Sequence, residues 1–593
     1  MLYELKQAGV ESIVEGSEVI DADHFGARYI SLRSEDRFFD QVQDFDGGLI
    51  VWPGGSLAER LVDRYGFEHF GLYNSDEYGN RPGLAELMEY CNAEDKALSV
   101  ILPTSRYVGE EDMLRDDIRS FFDDLLSGEY GELPKQLIFE IGNEYYANYE
   151  GASEAEKAAA YGQIANIYGQ EIARLDEQLG GLPENIEFSF QAGRSVEAND
   201  AILDEMDNDA LSMVDMISHH RFSPRIEAAD KNIEELHQIM AQWDDEIEAL
   251  GGEGPGLYLS AYNVSSLSRA ESLDDYIESL GEEGEGLSRD DFDLEGRTDE
   301  DFERFYQAQL SARPVGISHA ESILELYSQY SSLGIEAAGV YGWDLVHGGR
   351  SSLEGSDGNS YVFAAGSMQD MMAESLMGTR ALDWYQSQDN LDDDRNEEAT
   401  AVYGFESEDK LVVFVSNPNV DGEPFEIRLS LADLNIDLEH VWGERLIAEA
   451  PENWKELFGV QDSPNVDQYG EEASYGVGIR SSFEPVIEND QLVFNVEQDQ
   501  IVRLSFAKSE AGYDDISSWQ EGEGSIIYDE DLAVREQALA ADNNLFPMIE
   551  LEQDLVEEAE DDEEDFDQEG FDWGSLDLGS ALLAVGLAFL GFA

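Results

Sequence analysis

A carboxylate at the end of an apolar run is the clearest candidate for chemistry in this sequence. Residues 137–141 are mostly apolar, and Gly142, Asn143 and Glu144 follow them directly. Burial raises the pKa of a carboxylic acid in such a place, so that it can donate a proton near neutral pH. The alternative for Glu144 is a surface or helix-capping role. We favour the acid/base role, because Glu144 closes an apolar strand and precedes Tyr145 and Tyr146.

Further polar and aromatic side chains follow other predicted strands. His219 and His220 come directly after the run at 214–218. Successive strand residues point to opposite faces, so we expect His220 to face the site and His219 to pack on the other side. The remaining candidates for ligand contact are Trp52, Tyr146, Gln191, Tyr262 and Trp343. For the two tryptophans, packing between elements is the open alternative.

The elements that must position these residues alternate regularly from residue 20 to 390. Short apolar runs, typical of parallel strands buried on both faces, are separated by amphipathic helical segments such as 152–179. Eight such repeats predict a (β/α)8 TIM barrel, in which the chemistry sits at the carboxyl ends of the strands. The predicted strands are 27–32, 48–52, 98–102, 137–141, 186–190, 214–218, 257–260 and 337–341.

The pattern changes after the predicted barrel. Residues 398–508 contain short strands separated by turn signals, which predicts a β-sandwich domain, and residues 3–20 are a candidate for one additional strand. Residues 509–593 form an acidic tail with an apolar C-terminus. The tail shows no clear period, so we expect much of it to be loosely attached.

The charge of the chain is unusual. Its 132 acidic and 34 basic residues give a formal net charge of -98. Such a surface repels nucleic acid and anionic lipid, and we predict neither as a partner. It suits a protein that works in high salt, which favours a halophilic or marine setting. The alternative is that part of the charge binds calcium or lies in tails.

Sorting signals and cofactor motifs are sparse. Cys91 is the only cysteine, so we expect a small buried residue and no disulfide within the chain. No closely spaced metal-ligand cluster or phosphate-binding loop is evident, so we predict no cofactor and no bound metal at the site.

The start of the chain lacks the features of a Sec signal. The apolar run 578–593 is shorter than the ~20 residues of a spanning helix, so we predict no membrane span.

The C-terminus also carries a candidate secretion signal. An acidic segment at 557–567, followed by the apolar run, resembles the uncleaved C-terminal signal of bacterial type I secretion. This resemblance implies a secreted bacterial protein. A tail helix docked on the body of the protein is the alternative.

The motifs in their order resemble a known enzyme group. The Pro-Gly-Gly at 53–55, the Gly-Asn-Glu at 142–144 and the His-x-aromatic at 220–222 follow the order of clan A retaining glycoside hydrolases. The resemblance is to the β-xylosidase/iduronidase-like and heparanase/arabinofuranosidase-like groups, and it covers most of the barrel. It implies that Glu144 is the acid/base, that Asn143 binds a sugar hydroxyl, and that Trp343 stacks on a sugar ring. His220 matches the histidine of the sixth strand.

The sequence departs from that pattern at the nucleophile. The family motif on the seventh strand is Thr/Ser-Glu-Trp/Tyr, and this chain has Ser260, Ala261 and Tyr262. A methyl group cannot attack an anomeric carbon, so the covalent step of a retaining mechanism has no nucleophile. Phe222 replaces a family tyrosine, and Val51 replaces an arginine often found before Pro-Gly-Gly. Ala261 has two explanations, an engineered knock-out and natural decay into a pseudoenzyme. Phe222 and Val51 favour decay, but the intact Asn143-Glu144 and the conventional flanks Ser260 and Tyr262 favour a single replaced residue, and we lean toward the knock-out.

Three functions compete. The first is a secreted glycosidase for an extracellular polysaccharide, disabled at position 261. The second is a non-catalytic protein that uses the cleft to bind oligo- or polysaccharide. The third is a surface or matrix protein that assembles through calcium on its acidic exterior. The sequence favours a carbohydrate partner and leaves the sugar and the linkage open.

Overall fold

The computed structural model describes residues 2–3, 13–14, 16–28, 47–53, 57–60, 82–223, 230–265, 267–284, 286–294, 296–343, 351–383, 401–417, 425–430, 441–483, 485–488, 491–496 and 499–521. Within these ranges the chain forms a closed barrel with surrounding helices, followed by a region rich in sheet. This is the fold class that the sequence predicts.

Eight parallel strands close into the barrel. The eighth strand pairs back to the first, which places Tyr341 beside Arg28. A β-bulge between Leu259 and Tyr262 interrupts the pairing of the last two strands. After β1 (Leu2–Tyr3), the barrel strands are β2 (Gly26–Arg28), β3 (Leu49–Trp52), β4 (Ala97–Leu102), β5 (Leu137–Ile141), β6 (Ile186–Gln191), β7 (Met216–Ser223), β8 (Gly256–Val264) and β9 (Ile335–Tyr341).

Helices cover the barrel, and their ends carry the expected caps. In the longest helix, Ser153 accepts a hydrogen bond from the backbone N–H of Glu156, and left-handed Gly180 ends the helix. The helices are α1 (Leu57–Arg60), α2 (Leu84–Ala93), α3 (Glu111–Ser127), α4 (Tyr145–Asn148), α5 (Glu154–Leu179), α6 (Val196–Leu203), α7 (Asn208–Leu211), α8 (Asp230–Leu250), α9 (Arg269–Ser279), α10 (Glu300–Ser311), α11 (Ile317–Tyr330), α12 (Ala364–Leu376), α13 (Trp454–Leu457), α14 (Tyr469–Ala473) and α15 (Glu510–Glu521).

The interior of the barrel changes from apolar to polar along its axis. An apolar layer near the amino ends of the strands includes Leu49, Ala97, Ile138 and Met216. Polar side chains are buried nearer the carboxyl ends of the strands, and they include Arg28, Glu140, Ser218 and Ser260. The candidate site lies among these polar side chains. This end of the barrel is where the fold places catalytic and binding residues.

Two sheets form the predicted sandwich. The strands that follow the barrel are β10 (Ser352–Glu354), β11 (Ser360–Val362), β12 (Arg380–Leu382), β13 (Ala401–Glu406), β14 (Lys410–Asn417), β15 (Phe425–Ser430), β16 (Val441–Glu449), β17 (Val477–Phe483), β18 (Val486–Glu488), β19 (Gln491–Val496) and β20 (Gln500–Ala507). One sheet has the strand order β12-β13-β14-β20-β16-β17, the other β1-β15-β19-β18, and their apolar side chains share one core cluster. The six-stranded sheet already starts at β12, ahead of the predicted boundary at 398, because a strand of three residues is too short to show a period.

The first part of the predicted tail is an ordered helix. In α15, the side chain of Ile516 is fully buried, and the carboxylate of Asp515 lies 2.6 Å from Lys410 Nζ. Residues 522–593, with the apolar C-terminal run, lie outside the described ranges. Of the helices that are described, none is long and apolar enough to cross a membrane.

Candidate functional site

A strained turn projects Glu144 from the end of β5. Gly142 has a φ of +80°, and a Cβ there would lie 2.6 Å from Gln191 Nε2 and 2.7 Å from Thr104 Oγ1. Glu144 itself is left-handed, with φ 45° and ψ 61°. A residue other than glycine rarely adopts this conformation, and such strain is concentrated at functional sites.

The carboxylate of Glu144 has two polar partners. Tyr146 donates its hydroxyl to Glu144 Oε1 at 2.9 Å, and His220 Nδ1 lies 3.3 Å from the same oxygen. The side chain is only 5% exposed. The structure therefore brings together three of the residues that the sequence selects for the site.

Two buried charges lie beneath this group, and sequence reasoning did not assign them to the site. Arg28 and Glu140 are both fully buried, and Arg28 Nη1 is 3.5 Å from Glu140 Oε2. Ser260 donates to Glu140 Oε1 at 3.0 Å, and His220 Nε2 is 3.2 Å from that oxygen. In the sequence, Glu140 is the one charged residue in the apolar run 137–141, and that pattern could have marked it as a site residue.

Asn143 is held by its backbone and by its side chain. Its backbone N–H donates to Glu59 Oε1 at 3.2 Å, and its Oδ1 accepts from Arg28 Nη2 at 2.6 Å. Glu59 also accepts from Thr104 Oγ1 at 2.6 Å and from the backbone N–H of Ser105 at 2.7 Å. Glu59 thus ties the end of β4 to the end of β5.

Ala261, the position of the missing nucleophile, is closed by aromatic rings. It lies beside His220 in the pairing of β7 with β8. Its side chain is 1% exposed and clusters with Phe222 and Tyr341, whose ring centroids are 5.1 Å apart in an edge-on arrangement. The methyl group packs into an apolar contact and does not line an open gap.

Four other predicted contact residues lie away from the Glu144 carboxylate. Trp52 and Trp343 belong to the main apolar core, and it is this apolar setting that favours packing over contact with a sugar, since the polar Asn143 is also 0% exposed. Tyr262, also fully buried, accepts from Gln369 Nε2 of α12 at 2.6 Å. Gln191 accepts from the backbone N–H of Tyr145 at 3.1 Å and so supports the strained turn.

His219 and His220 face opposite sides of β7, as their adjacent positions predict. The ring of His219 stacks on Tyr330 of α11, with 6.1 Å between centroids. Burial and the nearby Arg221 charge lower the pKa of His219 to about 3, so it is neutral. His219 therefore has a packing role in this structure.

The electrostatics of the site favour charged forms of His220 and Glu140. Burial and the charge of Arg28 work to lower the pKa of His220, but its hydrogen bonds with Glu140 and Glu144 raise it above the usual value. Burial works to raise the pKa of Glu140, but the charge of Arg28 and the bond with His220 lower it. Each ring nitrogen of His220 thus faces a carboxylate oxygen, which favours the protonated ring.

This arrangement can bind hydroxyl groups and can exchange a proton at Glu144. It supplies no nucleophilic side chain at Ala261. Searched over the residues that the structure describes, the chain has no group of three or more His, Cys, Asp or Glu side chains that could hold a metal ion.

Solved glycoside hydrolases share this fold at low sequence identity. A family 51 α-L-arabinofuranosidase from Bifidobacterium longum is 12% identical with a TM-score of 0.52, over 84% of this chain and 98% of that chain. A family 51 arabinofuranosidase from Xanthomonas axonopodis pv. citri has 12% identity and a TM-score of 0.51, with the same coverage. At this identity the likeness shows the fold alone. No protein-family profile and no curated protein matches the chain.

Proposed function

We propose that this chain binds an extracellular oligo- or polysaccharide at the mouth of its barrel and does not itself carry out retaining hydrolysis. The fold is one that glycoside hydrolases use, and the Asn143–Glu144 turn lies at the end of the barrel where such enzymes act. Fold alone does not establish function, so the proposal rests on the site.

The polar side of the cleft supports carbohydrate binding. Glu144 keeps a strained backbone and two polar partners, and neither is needed to close the barrel. Asn143 is oriented by Arg28, and an amide and a carboxylate side by side suit the paired hydroxyls of a sugar. We infer that these two residues are the core of the binding site.

The packing around Ala261 is the observation that supports the second statement of the proposal, that the chain does not carry out retaining hydrolysis. Phe222 and Tyr341 close over the methyl group, which is 1% exposed. A glutamate at this position would have to displace the rings and place a carboxylate in an apolar contact. A single engineered replacement does not by itself supply these covering rings, so we favour natural loss of the nucleophile.

The test compares binding with turnover. We expect polysaccharide in the gel to slow the migration of the full chain in affinity electrophoresis. We expect the same chain to release no product from a panel of aryl glycosides. Asn143→Ala should weaken binding about tenfold, or roughly 1.4 kcal/mol. Asn208→Ala, on the exposed start of α7, is the matched control and should bind normally.

Variants at position 261 decide between a binding protein and a disabled enzyme. We expect Ala261→Glu to be inactive in hydrolysis, and equally so Ala261→Gln, whose glutamine has the shape of glutamate without its charge. A gain of about 10³-fold in hydrolysis by Ala261→Glu alone would identify a disabled retaining glycosidase and overturn the proposal. Calcium-dependent assembly of a chain that binds no glycan would favour the matrix-protein hypothesis instead.

A further inference from the structure

Arg28 contacts residues of three other strands on the polar side of the cleft. Its Nη2 donates to Asn143 Oδ1 at 2.6 Å, and its Nη1 donates to the backbone oxygen of Ser260 at 3.0 Å. Nη1 also lies 3.2 Å from His220 Nε2 and 3.5 Å from Glu140 Oε2. One fully buried guanidinium thus contacts residues on or directly after β5, β7 and β8.

We propose that the buried Arg28–Glu140 pair is the positioning element of the cleft: Arg28 fixes the amide of Asn143, and Glu140, against the opposing charge of Arg28, holds His220 as an imidazolium bridge to Glu144. The inference rests on the proposed function for its binding consequence, but its effect on His220 can be measured without a glycan.

The amide orientation follows from the donor character of arginine. A guanidinium has only N–H donors, so the atom of Asn143 that faces it must be the oxygen. The amide nitrogen therefore points away from Arg28. Without Arg28, the amide could rotate and exchange its donor and acceptor ends, which would change what a sugar hydroxyl meets.

The state of His220 follows from the charged groups that face it. Glu140 on β5 and Glu144 after β5 approach its two ring nitrogens at 3.2 and 3.3 Å, and Arg28 on β2 approaches Nε2. On β7 itself, His219 and Arg221 are the neighbouring ionisable residues. Two cations and two anions then balance within the cluster, as buried charges require.

This balance gives the pair a role beyond stability. Buried ion pairs are weak contributors to folding, because desolvation offsets much of their attraction. Here the pair instead sets which form of His220 and which face of Asn143 the cleft presents.

The first experiment follows His220 by NMR in the glycan-free chain with labelled histidine. We expect Glu140→Gln to lower the pKa of His220 by about one unit or more, because the ring loses its buried anionic partner. Glu177→Gln, on the exposed face of α5, is the control and should leave the titration unchanged. An unchanged pKa in Glu140→Gln would overturn the assignment of His220, whether or not the chain binds a glycan.

The second experiment separates positioning from stability. Arg28→Met should lower affinity for the bound polysaccharide at least tenfold. Arg503→Met removes another buried, ion-paired arginine, 5% exposed in the sandwich, and should lower thermal stability without changing affinity. Equal affinity of the two variants would overturn the positioning role.

A conservative variant covers the case in which Arg28→Met does not fold. Arg28→Lys keeps the charge but has one nitrogen, so it cannot hold Asn143 and Ser260 in a planar fork. We expect a folded protein with affinity reduced about three- to tenfold. Wild-type affinity in Arg28→Lys would show that the charge alone suffices and would overturn the fixing of the amide. A wild-type chain that binds no glycan would instead refute the proposed function.

Discussion

Glu144 holds its position at an energetic cost. A non-glycine residue in a sparsely populated backbone region costs on the order of 1–3 kcal/mol, and the left-handed turn of Glu144 is such a case. The neighbouring structure enforces it, because Gly142 passes so close to Thr104 and Gln191 that no other residue fits there. Under the proposed function, glycan binding is the reason for a glutamate at this position.

Replacing Glu144 by asparagine should be tolerated better than replacing it by alanine. Both variants remove the carboxylate that faces Tyr146 and His220, so this loss is common to the two. Asparagine adopts the left-handed region more readily, and we expect the free energy of unfolding of Glu144→Asn to exceed that of Glu144→Ala by about 0.5–1 kcal/mol. Both variants should lose glycan binding. Urea denaturation measures the difference, and equal stabilities would show that the turn is not strained.

The same scale shows what the sequence could not predict. Glu144, Asn143 and His220 stand next to strand ends, so local pattern alone selects them. A charge inside an apolar run marks Glu140, but nothing local links it to Arg28, because their strands are remote in the sequence and meet only across the interior of the closed barrel. For the same reason, the covering of Ala261 by Phe222 and Tyr341 could not be foreseen.

Among the elements, strands were easier to predict than their ends. The run at 137–141 matches β5 residue for residue, because all five side chains are buried and the run is bounded by loops. The prediction at 214–218 covers only part of β7 (Met216–Ser223), since His219, His220 and Arg221 break the apolar run. Polar residues that belong to a site therefore interrupt the apolar pattern from which the strand that carries them is predicted.

A ring of four charges joins the barrel helix α12 to the sandwich. Glu374 of α12 lies 2.6 Å from Arg480 and 3.2 Å from Arg503. Glu444 of β16 lies 2.9 Å from Arg480 and 2.6 Å from Arg503. Each charge has two opposite neighbours, and side-chain exposures of 5–16% limit screening by solvent.

Opening this ring should destabilise the chain. We expect Glu374→Gln to lower the free energy of unfolding by about 3 kcal/mol, because two largely buried arginines then share one carboxylate. Glu300→Gln, which breaks a half-exposed pair with Arg304, should cost less than about 1 kcal/mol. Thermal unfolding of both variants provides the comparison, and equal losses would contradict a special role for the ring.

The ring also has a defined pH dependence. Burial works to raise the pKa of Glu444, but Arg503 and Arg480 lower it below its usual value. A lowered folded-state pKa contributes stability above the unfolded-state value and loses it as pH falls through the folded one. The stabilisation by the ring is therefore complete at neutral pH.

At the scale of the whole molecule, cations and anions are distributed differently. The chain has 34 basic residues against 132 acidic ones. Several of the cations are paired and are themselves barely reached by solvent: the side chains of Arg28, Lys410, Arg480 and Arg503 are 0–11% exposed. The cations that remain cannot balance the acidic residues, so the surface as a whole repels itself.

This distribution predicts that salt stabilises the protein. Ions screen exposed charges strongly and buried pairs weakly, so added salt removes the surface repulsion and leaves the internal pairs largely intact. We expect the melting temperature of the full chain to rise steadily from 0.01 M to molar NaCl, because the Debye length falls from about 30 Å to about 3 Å.

Calcium and magnesium chlorides at matched ionic strength serve as controls. Equal effects of the two divalent ions would indicate general screening, and a larger effect of calcium alone would indicate specific binding to the acidic surface. A melting temperature that does not change with any of these salts would contradict the idea that surface repulsion limits the stability of this chain.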